Sequence, residues 1–180
     1  MDQSRNFNLE NHVHISFDAN SMNESFARMI VAAFMSDMNP TLEEIGDVKT
    51  AVSEAVTNAI IHGYGPGEKI REENSKEAGM DPFAAEWVQE EGVSDTIPQV
   101  EMICIRTGKR LEVQIIDQGV GIENIEQAME PFYTTKGEQE RSGMGFAFME
   151  AFMDELIVES EPQKGTTVTM VKYIDGGDEQ

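Results

Sequence analysis

The sequence has one cysteine, few basic residues and no long apolar run, and each shortage narrows the class of protein. The single cysteine, Cys104, cannot form an internal disulfide, and its apolar surroundings predict a buried, unreactive thiol. The longest uninterrupted apolar run, 29–35, is too short to span a bilayer. The first twelve residues lack the basic and apolar regions of a signal peptide, so we expect a cytoplasmic protein that does not enter membranes.

Acidic residues outnumber basic residues in the sequence. There are 34 Asp and Glu against 13 Lys and Arg, which gives a net charge of −21. This charge repels phosphate backbones and argues against direct binding to nucleic acid. It favours basic protein partners, although the same charge also serves solubility alone. The length of 180 residues and 39% apolar composition predict one globular domain over 1–180. Within it, nine acids against three bases at about 65–98 predict an exposed acidic insertion.

The segment 54–64, EAVTNAIIHGY, carries the first candidate site. Glu54, Asn58 and His62 are four residues apart, so a helix places them along one ridge. Carboxylate and amide oxygens are donors that Mg²⁺ accepts alongside phosphate and water. An ordinary solvated helix face has the same spacing. Small residues border the ridge and suggest space for a ligand; they are Ala51, Ala55 and Ala59.

The surrounding pattern predicts helices and strands. A capping box, Ser21 to Glu24, opens a helix that runs to about residue 38, and a second, Thr41 to Glu44, opens the helix that holds Glu54. The expected apolar face of the first helix is Phe26, Met29, Ile30, Ala33 and Phe34. Strands are expected at 13–17, 100–105, 111–116, 156–159 and 165–173.

A second candidate site follows the strand at 111–116, where the sequence reads DQGVGI. Asp117 at the mouth of a sheet is suited to accept a hydrogen bond from an exocyclic amino group such as that of adenine. Gly119 and Gly121 allow backbone approaches that a Cβ would block. An Asp and two glycines are also common in simple turns, so this motif alone is weak.

A third candidate site lies at 130–149, where a polar segment precedes an apolar helix. The segment from Thr134 to Ser142 has no apolar anchor and predicts a mobile lid. The glycines around Met144 lead into the helix at about 146–152, whose N-terminal N–H groups form an anion site. Lys136 and Arg141 flank this anion site, and each could donate charge-assisted bonds to a phosphate; two solvated bases are the alternative.

In chain order, Glu54 to Gly63, Asp117-x-Gly119-x-Gly121, Gly143-x-Gly145 and Gly165-Thr166-Thr167 resemble the sequence boxes of the GHKL ATPase and kinase superfamily. The likeness is greatest to its small anti-sigma serine kinases, above all the sporulation members. It rests on NESFAR at 23–28, SEAVTNAIIHGY at 53–64, FYTTK at 132–136 and ERSGMGF at 140–146, and it covers nearly the whole chain except 65–98.

The resemblance implies the Bergerat fold, an α/β two-layer sandwich with helices on one face of a mixed, mostly antiparallel sheet, and a homodimer. It also implies an enzyme that binds ATP and Mg²⁺, phosphorylates a serine of an anti-anti-sigma factor, and binds a sigma factor in the alternative state. A sensor histidine kinase fits less well, since His12 and His14 lie in a strand pattern. A module that uses ATP only to set its shape and sequesters a transcription factor stays an alternative.

The resemblance also assigns roles by position. Glu54 would be the general base, Asn58 the Mg²⁺ ligand, Asp117 the adenine contact supported by Thr167, and Glu24 and Arg28 the partner-binding residues. The remaining nucleotide-binding residues would be Gly119, Gly121, Thr134, Thr135, Lys136, Arg141, Ser142, Gly143, Met144 and Gly145. Two departures from the family pattern are the longer insertion and Gly137, which stands where proline is familiar.

Overall fold

The computed structural model describes residues 10–65, 97–130 and 144–176, and these form two layers. The strands within these ranges are β1 Glu10–Asp18, β2 Gln99–Thr107, β3 Arg110–Asp117, β4 Glu155–Glu161 and β5 Gly165–Tyr173. The helices are α1 Met22–Met35, α2 Leu42–Asn58, α3 Ile125–Met129 and α4 Gly145–Phe152. A 3-10 turn at Ser36–Met38 follows α1, and a π-helical turn at Ala59–Gly63 follows α2.

The strands form one sheet in the order β1-β2-β3-β5-β4, and each pairing between the described strands is antiparallel. Strands β2 and β3 make a hairpin, with Thr107 paired to Arg110 across a two-residue turn. The five strands predicted from the sequence are all present, with ends that differ by a few residues. The expected α/β sandwich is confirmed.

The core lies between the helices and one face of the sheet. Alternate residues of β3 are buried there, as a strand with one covered face requires. Helix α2 contributes Val48, Val52 and Val56, each fully buried. The three alanines expected to border a ligand space, Ala51, Ala55 and Ala59, are buried in the same core. That expectation is wrong, because the apolar face of α2 is wide enough to include them.

Helix α1 buries a stripe shifted from the one its sequence suggested, although Ile30 and Phe34 of the expected face do pack, partly buried, against the core. Phe26 is 46% exposed and Met29 is 70% exposed, whereas Ala27, Val31 and Met35 are fully buried. Apolar residues at i, i+3 and i+4 are compatible with two neighbouring stripes of one helix, and the small side chain at position 27 lets α1 approach its neighbours along the second. An exposed apolar stripe therefore remains on the outer side of α1.

The two predicted capping boxes have different outcomes. In α2 the Thr41 hydroxyl accepts from the Glu44 N–H at 3.2 Å, and the Glu44 carboxylate accepts from the Thr41 N–H at 2.6 Å. In α1 the Ser21 side chain makes no capping bond. The box expected there is wrong because the Glu24 carboxylate turns to α2, where the Ser53 hydroxyl donates to it at 2.5 Å.

We expect Thr41→Ala to lower the free energy of unfolding by about 1 kcal/mol, because two backbone N–H groups at the start of α2 depend on this box. Thr50→Ala is the matched control and should not lower stability, since the Thr50 hydroxyl donates to Gly46 O within α2 and caps no N–H group. Urea denaturation of both variants measures the difference. Equal losses would mean that the box in α2 contributes nothing beyond a generic Ser or Thr to Ala change.

Candidate functional site

Glu54 and Asn58 lie one turn apart on α2 and approach the start of α4. A Cβ added to Gly145 would lie 3.2 Å from Glu54 Oε2 and 3.2 Å from Asn58 Nδ2. Both side chains are partly buried. The structure therefore brings together an acid and an amide from one segment and a glycine about ninety residues further along the chain.

The end of α2 changes from α-helical to π-helical at Ala59–Gly63. Such turns are uncommon and are frequent at functional sites. The last carbonyl of the turn, Gly63 O, accepts the Val120 N–H at 2.9 Å. A Cβ added to Gly119 would lie 2.1 Å from the same oxygen, so only glycine permits this contact. The end of α2 is thus locked against the loop that follows β3.

Asp117 ends β3 beside this junction and is 6% exposed. Its Oδ1 accepts the Gly119 N–H at 2.9 Å. Burial raises the pKa of Asp117 above its ordinary value of 3.8, although the backbone N–H groups of Gly119 and Thr166 act in the opposite direction. A carboxylate has about four acceptor positions, so it retains capacity for a donor from a ligand.

The threonine that shares a face with Asp117 is Thr166. In the pairing of β3 with β5, Asp117 lies opposite Thr166, and Ile116 lies opposite Thr167. Because successive strand residues point to opposite faces, Thr167 lies on the far face of the sheet. The placement of Thr167 in support of the adenine contact is therefore wrong, and Thr166, which is 8% exposed, is the candidate in its place.

Two residues of the site were missed by the sequence analysis. The Tyr64 hydroxyl donates to Gln99 O at 2.6 Å and accepts the Gln118 N–H at 2.8 Å, and burial raises the Tyr64 pKa. The Ser160 hydroxyl accepts the Ile122 N–H at 2.8 Å. No local signal could identify either residue, since these partners lie 35 to 54 residues away along the chain.

Glu24 and Arg28 belong to a hydrogen-bond network that joins α1 to α2. Arg28 Nη1 donates to the Glu24 carboxylate at 2.7 Å and to the Ser53 hydroxyl at 2.9 Å. The Thr57 hydroxyl donates to the second Glu24 oxygen at 3.2 Å. Ser53 and Thr57 each directly precede a site residue, Glu54 and Asn58. The network therefore runs along the neighbouring side of the same two turns of α2, about 100° around the helix from Glu54 and Asn58.

The lid and the insertion fall largely outside the described ranges. Thr134, Thr135, Lys136, Arg141, Ser142 and Gly143 lie outside the described residues, as does 66–96. Met144 is the residue that precedes α4, directly before Gly145. Gly121 has a φ of 69°, and a Cβ there would lie 2.3 Å from Glu161 O. Gly121 therefore packs the loop after β3 against the end of β4.

Comparison with known proteins identifies the family and the fold of the chain. Residues 16–172 match the family model described as "Histidine kinase-like ATPase domain". The fold is similar to a crystal structure of the RsbU and RsbW domains of Rv1364c from Mycobacterium tuberculosis, with a TM-score of 0.54 and 19% identity over 91% of this chain and 32% of that one. The protein is thus an ATP-binding domain of the histidine kinase-like class. It is an ATP-using protein of the kinase kind.

Curated proteins of similar sequence define the family more narrowly than the fold does. The chain is 49% identical over 164 residues to the anti-sigma F factor of Clostridium acetobutylicum and 46% identical over 164 residues to that of Thermoanaerobacter sp.. Each match covers 91% of this chain and 94% of the relative. The anti-sigma F factor of a Geobacillus species is 47% identical over 166 residues. The chain belongs to the anti-sigma F factor family.

Two further properties concern the environment of the chain. In the part of the chain that the structure describes, no helix is both long and apolar enough to cross a membrane. Cys104 is fully buried, and burial raises the pKa of its thiol to about 12. A thiol with so high a pKa is almost entirely protonated at neutral pH, which confirms the expected inert cysteine.

Asp117→Asn should stabilise the protein in the absence of ligand, by an amount that depends on pH. Because the pKa of Asp117 is raised in the folded state, the unfolded chain loses this proton first as pH rises. The carboxyl therefore costs stability progressively between its ordinary pKa of 3.8 and its raised folded pKa. The stability advantage of the Asn variant should grow across that interval and stay constant above it.

Thermal unfolding from below pH 3.8 to neutral pH checks this expectation. Asp37→Asn is the control, because Asp37 is 78% exposed and its ion pair with Arg106 lies at the surface, where such pairs contribute little to stability. An advantage of Asp117→Asn that shrinks with rising pH would show that ionised Asp117 is favourable in the folded state.

Proposed function

We propose that this protein is an anti-sigma factor that binds and inhibits an RNA polymerase sigma factor. As an ATP-dependent serine kinase it also phosphorylates, and so inactivates, its anti-anti-sigma factor. The observation that carries the proposal is that Asp117 packs against the end of the helix that carries Glu54 and Asn58, in a chain of the anti-sigma F family. We further propose a single domain over 1–180 that acts as a cytoplasmic homodimer.

At the base end of the site, Asp117 would accept a hydrogen bond from the amino group of adenine. The burial of Asp117 supports this contact, because a buried carboxylate is unfavourable unless hydrogen-bond donors satisfy it. The two backbone N–H groups that donate to Asp117 leave some of its acceptor positions unoccupied. Thr166 lies opposite on the same face and would support this contact. Gly119 and Gly121 shape the wall by letting backbone pack against backbone.

At the phosphate end, Asn58 would ligate Mg²⁺ through its amide oxygen. Among the described residues no group of three or more His, Cys, Asp and Glu side chains could hold a metal alone. Phosphate and water would therefore complete the coordination, as is usual for Mg²⁺. Bound Mg²⁺ supplies positive charge that offsets the charge of the transferred phosphoryl group. Lys136, Arg141 and their neighbours in the lid would add donors.

Glu54 would act as the general base. It would accept the proton of the substrate serine as that hydroxyl attacks, a role for which a carboxylate within hydrogen-bond reach suffices. Gly145 leaves room beside the carboxylate, since any larger residue would place a Cβ 3.2 Å from it. Positioning by α2 and α4 would thus supply much of the rate, as is general for phosphoryl transfer.

The partner surface would include Glu24 and Arg28 on α1. Arg28 is about one third exposed and Glu24 about one fifth, so both reach the surface. Ser53, which binds both, directly precedes the proposed base. A partner docked on Arg28 would therefore lie close to Glu54, as a substrate serine requires. The net charge of −21 would favour basic surfaces on the partners.

Glu54→Gln should keep ATP affinity and lose phosphotransfer by at least about a hundredfold, because the amide cannot accept the serine proton at neutral pH. Calorimetry measures ATP binding, and transfer of γ-labelled phosphate to the anti-anti-sigma factor measures activity. Transfer at the wild-type rate would remove Glu54 from the mechanism.

The same assay separates the two candidate functions. A module that uses ATP only as a conformational switch would bind ATP and the sigma factor and would transfer no label, even as the wild-type protein. A kinase would transfer label to the anti-anti-sigma factor and none to a variant of that factor whose acceptor serine is replaced by alanine.

Gly145→Ala should lower phosphotransfer about tenfold, because the added methyl group displaces Glu54 and Asn58 by a few tenths of an ångström. Fold stability should change little, since Gly145 is the first residue of α4 and the helix preference of alanine acts mainly in a helix interior. Gly46→Ala is a matched control on α2, where a Cβ meets nothing within 4 Å. It should gain stability and keep activity. If Gly145→Ala and Gly46→Ala were equally active, the Cβ added at position 145 would not disturb Glu54 and Asn58.

A further inference from the structure

We propose that Ser160 is a positioning residue that makes the base end of the site selective for a purine with an exocyclic amino group. The inference rests on the proposed function, because it assigns a role in binding the nucleotide. Ser160 itself would not touch the ligand. It would act through Thr166, and through the loop from Asp117 to Ile122.

The Ser160 hydroxyl joins three parts of the chain. It lies on β4 directly opposite Thr166 of β5. Its oxygen is 2.8 Å from the Ile122 nitrogen, 2.9 Å from Gly165 O and 3.0 Å from Thr166 Oγ1. The loop after β3, the start of β5 and the side chain opposite Asp117 are therefore linked by one hydroxyl group.

The capacity of this hydroxyl fixes the direction of the bond to Thr166. A serine hydroxyl donates once and accepts twice. The Ile122 N–H occupies one acceptor position, and the proton of Ser160 goes to Gly165 O. The Thr166 hydroxyl then donates to the remaining acceptor position of Ser160. This arrangement satisfies all four groups and leaves both lone pairs of the Thr166 hydroxyl able to accept.

Asp117 and Thr166 therefore both present acceptors on the same face of the sheet. A ligand that donates from an amino group satisfies such a pair, and one without that group leaves buried acceptors unpaired. Without the Ser160 hydroxyl, Thr166 would be able to donate its own proton to the Asp117 carboxylate. That bond would compete with the ligand's amino group, so selectivity for the amino group would fall.

The test compares ATP with purine riboside triphosphate, which lacks only the 6-amino group, by calorimetry on the full chain. In the wild type we expect ATP to bind at least about tenfold more tightly. In Ser160→Ala we expect ATP affinity to fall about five- to tenfold and analogue affinity to fall about twofold or less, so that the ratio collapses. Ser160→Thr keeps the hydroxyl and should restore the ratio.

Two controls separate selectivity from stability. Ser36→Ala removes a hydroxyl that donates to Ala33 O at the end of α1, and it should leave both affinities unchanged. Amide hydrogen exchange should accelerate at Ile122 in Ser160→Ala and not in Ser160→Thr. If Ser160→Ala does not fold, Ser160→Cys has a similar volume and accepts weakly, and the same collapse of the ratio is expected.

The outcomes distinguish this inference from the proposed function. Equal loss of affinity for both nucleotides, or an unchanged ratio in Ser160→Ala, would overturn the role of Ser160 and leave the proposed function intact. A wild-type protein that binds no ATP would overturn the proposed function and this inference with it.

Discussion

The contact between Gly63 and the loop after β3 is the constraint on which the site depends. The Val120 N–H donates to Gly63 O at 2.9 Å, and Gly119 approaches so closely that a Cβ would lie 2.1 Å from that oxygen. This contact fixes the end of α2 relative to the end of β3. Glu54 and Asn58 are carried by the helix and Asp117 by the strand, so the candidate site depends on the meeting of these two backbone segments.

The parts of the site could be predicted from the sequence because their signals are local. The spacing of Glu54 and Asn58 defines one face of a helix, and Asp117 at the end of an apolar strand is visible without any tertiary information. The π-helical turn that ends α2 could not be predicted, since its wide backbone is stabilised by the packing of Gly63 against Gly119. The same is true of Tyr64 and Ser160, whose partners lie far along the chain.

Errors of a single residue have large consequences where strands form the site. Thr166 and Thr167 are chemically identical, and only the pairing of β3 with β5 decides which shares a face with Asp117. Helix α1 presents a similar problem, because its sequence is compatible with two neighbouring apolar stripes. Its sequence also predicts a capping box that does not form. The bond from Ser53 to Glu24 decides against the box, and that bond requires α2 to lie alongside.

Helix α2 has two polar edges, and this arrangement has a thermodynamic consequence. Glu54 and Asn58 approach α4, while Ser53 and Thr57, one position earlier, hold Glu24 of α1. A rotation of α2 that moved Glu54 would therefore stretch the bonds to Glu24 and disturb the position of Arg28. In the proposed function, nucleotide binding and partner binding would bias the same helix pair. Because binding linkage is reciprocal, any change in partner affinity caused by nucleotide must be matched by an equal change in nucleotide affinity caused by that partner.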